Sequence, residues 1–229
     1  HAAGLQSCGA GAILREAETP ARMKVDNRGK VLVFSFGHGS SGIPPSWGAT
    51  DNQAGVARLD TLLEDTVLRI SRLIEAHRRP NDIVIASIHW GGNWGYAIPQ
   101  EQQQFARQLI DNAEVDVIHG HSSHHPKGIE IYRGKPILYG CGDLLNDYEV
   151  ISGYEEYRDD LSMMYFPTLS PNSGMLVRFE LVPTLIRKFR LNRPPLHDIQ
   201  WLAAMLNREG EPFGTGVTIN DRNTLELNW

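Results

Sequence analysis

Three short apolar runs mark the first half of the chain. Residues 30–37 (KVLVFSFG), 83–88 (IVIASI) and 115–119 (VDVIH) carry apolar side chains on both faces, the pattern of strands buried on either side. Strands of that kind need covering helices. The spacing predicts one over 60–78, where Leu63, Val67, Ile70 and Ile74 recur at i, i+4, i+7 and i+11, with Asp60 as N-cap and Pro80 closing the segment. It predicts a second over 100–112, with Phe105, Ala106, Leu109 and Ile110 on one face and Pro99 at its N-terminal edge. Strand, helix, strand, helix, strand is α/β layering.

The rhythm then changes. Residues 128–132 (GIEIY) and 136–140 (PILYG) flank Arg133-Gly134-Lys135 and read as a hairpin. Residues 175–181 and 184–191 continue in strand style across Pro183, a helix is expected over 197–208, and short strands near 216–219 and 224–227 finish the chain. The expectation is one α/β domain over 1–229, with an α/β portion at 1–127 and a mainly antiparallel extension at 128–229.

Composition narrows the function classes. With 41% hydrophobic and 21% charged residues among 229, disorder and coiled coil are excluded. The balance of 27 acidic against 22 basic residues, net −5, offers no pull toward a phosphate backbone, so nucleic acid is not an expected partner. No apolar run approaches the ~20 residues of a membrane span. Cys8 and Cys141 are too few for a disulfide framework.

The chemistry concentrates in histidines. Five of nine (His89, His119, His121, His124, His125) fall within 37 consecutive residues. His89 directly follows one apolar run and His119-Gly120-His121-Ser122-Ser123-His124-His125 begins as another ends, so two strands would deliver imidazoles to one edge. Neutral imidazole ligates zinc, manganese, iron or nickel. A third strand end supplies Gly142-Asp143 and Asp147, where Asp143 could orient a histidine, act as a base or cap a helix. Gly37-His38-Gly39-Ser40-Ser41-Gly42 is either an anion cradle or a plain loop. Trp47, Trp90, Trp94 and Tyr96 either wall a pocket for a sugar or peptide or pack the core. A serine or cysteine nucleophile is disfavoured, because no Gly-x-Ser-x-Gly elbow occurs and Cys141 sits between glycines.

An ordered series of segments carries a family resemblance. Ser87-Ile88-His89-Trp90-Gly91, Pro99 with Gln102–Gln104, Leu109-Ile110-Asp111, Val115-Asp116-Val117-Ile118, Gly120-His121-x-x-His124, Ile129-Glu130-x-Tyr132-x-Gly134-Lys135-Pro136-Ile137 and Gly142-Asp143 resemble the CapA family. These bacterial capsule-synthesis or poly-gamma-glutamate-biosynthesis proteins are related to calcineurin-like metallophosphoesterases. The resemblance implies a partial metallophosphoesterase-like layered sandwich and a divalent transition-metal site of one or two ions (Mn, Zn or Fe). It implies His89, His121 and His124 as ligands and His124 and Asp143 as catalytic groups, with His119, Asn93, Glu130 and Asp147 as further candidates.

The implied activity is a metal-dependent hydrolase of the phosphoesterase type acting on a phosphate ester or polymer-related substrate. The alternative is a non-catalytic subunit, or a glycan- or polymer-binding component, of an extracellular polymer assembly. Capsule or poly-gamma-glutamate synthesis proteins are the implied partners. The Gly-Asp opening and the Asn-Asn-His motif of the phosphoesterase relatives do not occur in 1–229. Ala2-Ala3-Gly4-Leu5 resembles the end of the helix that follows Asn-Asn-His. The expectation is therefore a chain lacking the N-terminal part of the family domain, with an incomplete metal site and no activity alone. The resemblance implies that a preceding segment makes the intact protein membrane-associated or extracytoplasmic, with a cytoplasmic location as the alternative. Where many members carry a Glu soon after His-Trp-Gly, this chain has Gly92-Asn93-Trp94.

Overall fold

The computed structural model describes residues 4–25 and 29–229; Ala2 and Ala3 of the proposed helix end lie outside the described residues. The architecture is mixed α/β, with sheets packed against a few helices, as the apolar runs predict. Two compact units form, one of His1–Gly91 with Ile98–His119 and the other of Gly92–Ala97 with Gly120–Trp229.

In the first unit, strands β1 (Ala21–Val25), β2 (Gly29–His38), β3 (Ile83–His89) and β4 (Val117–His121) follow one another in sheet order. The last two residues of β4 belong to the second unit. β1 runs antiparallel to β2, and β3 runs parallel to β2 from Val31↔Ile83 to Gly37↔His89. The buried carboxylate of Asp116 fixes the entry to β4: its Oδ2 accepts the Val84 amide at 2.9 Å and lies 3.6 Å from the Arg78 guanidinium.

Helix α1 (Glu64–His77) buries Val67, Ile70 and Ile74, three of the four apolar positions its period predicts, while the fourth, Leu63, is the exposed cap residue. Each such side chain taken from water is worth about 1.5–3 kcal/mol. The helix starts three residues later than the Asp60 cap predicts, with Leu63 at the cap position and no side-chain cap bond. Asp60 instead pairs with Arg58, so a local ion pair takes the carboxylate that would have capped. His77, at the end of α1, meets Phe34 of β2 edge-on at 5.9 Å. Helix α2 (Gln100–Asn112) packs Phe105 against Trp90 at 6.4 Å. Trp90 is thereby a core residue and not a pocket wall.

In the second unit, hairpin β5 (Ile129–Tyr132) and β6 (Lys135–Leu138) turns through Arg133 and Gly134, both at positive φ. A second sheet has the order β7 (Leu161–Leu169), β8 (Leu176–Ile186), β10 (Leu225–Asn228), β9 (Gly216–Ile219), all antiparallel. β8 runs unbroken through Pro183, which faces Met163 of β7, as the strand-style pattern across Pro183 predicts. Its continuation at 187–190 is a turn, and only Leu191–Asn192 returns to pair with it. Helix α3 (Leu196–Gly210) covers the sheet, and Leu202, Leu206, Phe179, Leu181 and Leu225 form the core with Ile129. Among the described residues, no helix is long and apolar enough to cross a membrane.

Candidate functional site

The histidines divide between the units. In the first, His89 ends β3 and its carbonyl accepts the Ser41 hydroxyl at 2.9 Å. His119 lies inside β4, its Nδ1 3.0 Å from the Ser87 hydroxyl of neighbouring β3, and burial lowers its pKa. The glycine-rich loop closes as one tight turn over Gly39–Ser41, held by the Ser40 hydroxyl, which accepts the Gly91 amide at 2.9 Å.

The second unit contains a cluster on two loops and the segment 92–97. His121 ends β4. Three residues on, the His124 amide donates to the Asn93 carbonyl at 3.0 Å. The His124 imidazole points Nδ1 at Asp143 Oδ2, 2.9 Å away. That single oxygen also accepts the Tyr148 hydroxyl at 2.5 Å and the Asn146 amide at 3.2 Å. The Tyr148 hydroxyl lies 3.1 Å from His124 Nδ1 as well. Burial and the adjacent Asp143 carboxylate push the Tyr148 phenol up, so it stays a donor at every physiological pH.

Local sequence explains how Asp143 reaches this position. Gly142 takes φ 71°, a region open to glycine, and a Cβ there would come within 3.1 Å of Pro126 and the His125 carbonyl carbon. The chain can turn tightly there only because that atom is missing. The following loop is pinned by Asn146, whose Oδ1 accepts the Glu149 amide at 3.0 Å.

A carboxylate on Nδ1 fixes the imidazole tautomer and leaves Nε2 as a lone pair, which is the arrangement of a general base or of a metal-ligating histidine. Neighbouring His125 has the opposite surroundings. It is fully buried, its Nδ1 lies 2.9 Å from the Pro126 carbonyl, and its ring stacks on Tyr157 at 4.7 Å and meets Tyr96 edge-on at 4.7 Å. Its Nε2 has no hydrogen-bond partner. Burial, with Lys127 and His124 nearby, pulls its pKa down to about 4. Trp94 lies against the His124 ring at 5.2 Å and stacks on Tyr154 at 4.1 Å and 2°. Buried Asp159, raised in pKa by its burial, accepts the Ile151 amide at 2.8 Å.

The remaining sequence candidates are placed as follows. Glu130 is buried and accepts the Tyr139 hydroxyl at 2.6 Å, a structural bond. Asn93 contributes its carbonyl to the site. Asp147 faces solvent. Sequence reasoning did not give Tyr148, His125 and Asp159 their roles. Tyr148 lies five residues beyond Asp143, and a short loop after a carboxylate is the signal that could have flagged it.

A divalent metal can be tested against the donors. Among the described residues, no group of three or more His, Cys, Asp and Glu side chains is arranged to hold an ion. A catalytic zinc normally uses three protein ligands, and His124 Nε2 offers one donor. The grouped residues alone do not fit a metal centre; one would need further donors.

The chain matches the family model described as bacterial capsule synthesis protein PGA_cap over residues 1–148. It is 43% identical over 226 residues, 98% of the chain, to a probable polyglutamine synthesis accessory protein of Mycobacterium tuberculosis (strain ATCC 25618 / H37Rv). It is 30% identical over 179 residues, 78% of the chain and 42% of the relative, to the PGA biosynthesis protein CapA of Bacillus subtilis (strain 168). The capsule biosynthesis protein CapA of Bacillus anthracis is 26% identical over 119 residues, 51% of the chain and 27% of the relative. The chain spans 59% of the length of the mycobacterial relative.

Proposed function

Because the chain belongs to the bacterial capsule synthesis protein family, we propose that the protein serves the synthesis of a capsule or polyglutamate polymer as a hydrolase-type accessory factor. His124 is its proton-transferring group and Asp143 orients it. The substrate class is a phosphate ester or a polymer-related chain, and the partners are the proteins that make the polymer. The observation that carries the reading is the Asp143 carboxylate on His124 Nδ1, buttressed by Tyr148 and Asn146. Such a carboxylate holds the ring in one tautomer and stabilises the imidazolium formed when Nε2 takes a proton.

A metal-dependent form of the hydrolase belongs to the same proposal, with manganese, zinc or iron as the candidate ion and His121 and His124 as its candidate ligands in the second unit. Such an ion would polarise the ester and supply activated water. The donors grouped among the described residues do not complete its site, so the roles assigned here rest on the chain's own side chains: Nε2 accepts or returns a proton, Asp143 holds Nδ1–H, and Tyr148 donates to Asp143.

A second reading is favoured by one feature. The parallel stack of Trp94 on Tyr154, the latter 39% exposed, is a flat aromatic surface of the kind that receives a sugar face or an extended chain. In that reading the protein is a non-catalytic, polymer-binding component.

The test uses the intact protein in a producing strain whose own copy is deleted. His124→Gln and Asp143→Asn should each lower polymer yield, by the ~10²-fold or more that general acid–base groups supply if the step becomes limiting. Asp143→Asn removes the carboxylate while keeping size, so a loss there reports orientation. Wild-type polymer yield from both variants, at wild-type levels of folded protein, refutes the catalytic reading. If Trp94→Ala alone abolishes yield, the binding reading replaces it.

A further inference from the structure

A hairpin tip in the second unit has a composition unlike the rest of the surface. β8 ends at Ile186, and Leu191–Asn192 pairs back onto it through Leu185↔Asn192 and Ile186↔Leu191. Arg187 and Arg190 close the turn by exchanging backbone bonds of 3.0 and 3.3 Å. The two central residues, Lys188 and Phe189, both lie at left-handed φ, 54° and 56°. A two-residue hairpin that follows the twist of its strands needs those angles, but asparagine and glycine adopt them most easily and a bulky aromatic is an outlier. The tip is nevertheless built firmly. The Asn192 amide donates to the carbonyls of Leu185, Arg187 and Arg190 at 3.4, 3.1 and 2.9 Å, and the Phe189 amide donates to Glu149 at 2.6 Å.

The tip displays cations and an apolar ring together. Arg187, Lys188, Arg190 and nearby Arg193 are all exposed, and among the described residues none of the four has a carboxylate within ion-pairing distance. The contrast lies within the same unit. Arg158 pairs with Asp160 and Asp198, Arg178 with Glu226, Arg208 with Glu209 and Arg222 with Glu180. On a chain of net charge −5, four unpaired cations in seven residues are a local reversal. At the apex the Phe189 ring is 62% exposed, and Leu191 and Val150 are exposed as well.

We propose that this tip, Arg187 to Leu191 with Arg193, docks onto a membrane surface containing anionic phospholipid. The cations complement the phosphate headgroups, each Lys or Arg near such a surface contributing roughly a five-fold factor in partitioning. Phe189 inserts into the headgroup boundary, where an exposed apolar ring leaves water. A soluble polyanion would satisfy the arginines equally well but leaves the ring at the apex without a partner, so the membrane is the better fit. Glu149, the one carboxylate bonded to the tip backbone, is already occupied by the Phe189 amide.

The experiment is co-sedimentation of the 229-residue chain with vesicles of phosphatidylcholine containing about 30% phosphatidylglycerol, against pure phosphatidylcholine, near 0.1 M salt. The chain should sediment only with the anionic vesicles and be released as salt rises to about 0.5 M. The double variant Arg187→Gln/Arg190→Gln should partition about 25-fold more weakly. Phe189→Asn keeps the charge and suits the left-handed backbone, so the turn is retained while the ring is lost; its partitioning should fall about ten-fold. Absence of sedimentation with anionic vesicles overturns the proposal, as does binding that survives the double substitution. Undiminished binding by Phe189→Asn, together with arginine-dependent capture of soluble polyglutamate, replaces the membrane with a polyanion.

Discussion

Protonating His125 should cost the fold more than protonating an ordinary histidine. The perturbation is a fall in pH, and the magnitude follows from the gap between the ordinary value near 6.5 and the folded value of about 4. Because the folded pKa lies below the unfolded one, the unfolded state binds the extra proton first. Stability is therefore whole at neutral pH and is lost as pH falls through 6.5 toward 4. At about 1.36 kcal/mol per pH unit, the 2.5-unit gap amounts to about 3 kcal/mol, of which about 2 is lost by pH 5.

Other groups titrate in the same range. His119 and His38, both lowered by burial, act in the same direction, while Asp159, raised by burial, acts in the opposite one. Comparison with His125→Gln removes them, because they are common to both proteins. Urea unfolding at pH 7, 6 and 5 should show the stability difference between wild type and variant moving by about 2 kcal/mol in the variant's favour by pH 5. The His125 ring resonance in an NMR titration should not shift until pH nears 4. A stability difference constant from pH 7 to 5, or a ring that titrates near 6.5, refutes the reasoning.

Three further outcomes follow from other contacts. Phe189→Asn should raise stability by about 1 kcal/mol, because asparagine tolerates the left-handed backbone that phenylalanine occupies at φ 56°; an unchanged or lower melting temperature contradicts this. Asp116→Ala leaves the Val84 amide without its acceptor and Arg78 without its buried partner, and should destabilise by about 3 kcal/mol, measured by denaturant midpoint. The Cys141 thiol is buried and its pKa is pushed up to about 12. Iodoacetamide at pH 8 should leave it unmodified in the folded protein and alkylate it once urea unfolds the chain.

Periodicity found the elements that bury a continuous face. The strands at 83–89 and 117–121 and the helix at 100–112 came directly from apolar spacing, because each hides one or both sides in a core. It missed β1 and β7. β1 is an edge strand with exposed Met23 and Val25, and β7, also an edge strand, alternates exposed Met164 and Phe166 with less exposed neighbours. Edges of that kind display apolar residues to solvent and give no clean alternation. The start of α1 was misplaced because Asp60 had two uses, cap or ion pair, and only the position of Arg58 decides between them. For the candidate site, the sequence singled out His124 and Asp143 by type and position, and the structure brings the two side chains into contact. It could not yield Tyr148, His125 and Asp159, whose roles come from loop geometry and burial.

The adjacency of His124 and His125 explains how a loop, and not a strand end, can hold a precise imidazole. The two residues sit in a bent segment beyond the strand, and both rings lie against Trp94, His124 at 5.2 Å and His125 at 6.2 Å, so the buried ring anchors the aromatic wall that its neighbour leans on. His125 is the buried member, wedged among Tyr96, Trp94 and Tyr157 and bonded through Nδ1 to the next residue's carbonyl. Its low pKa means that it stays neutral wherever the fold is stable, so it adds packing without adding a charge beside His124. His124 is then constrained from three directions: by its amide on Asn93, by its Nδ1 on Asp143, and by the face of Trp94. A charged His125 would break this arrangement, because a second imidazolium next door would oppose the proton uptake proposed for His124. The buried histidine is therefore a positioning residue. His125→Gln should leave the His124–Asp143 contact formed yet loosen it, which NMR would register as faster solvent exchange of the His124 Nδ1 proton, whereas an unchanged exchange rate would mean that the two rings act independently.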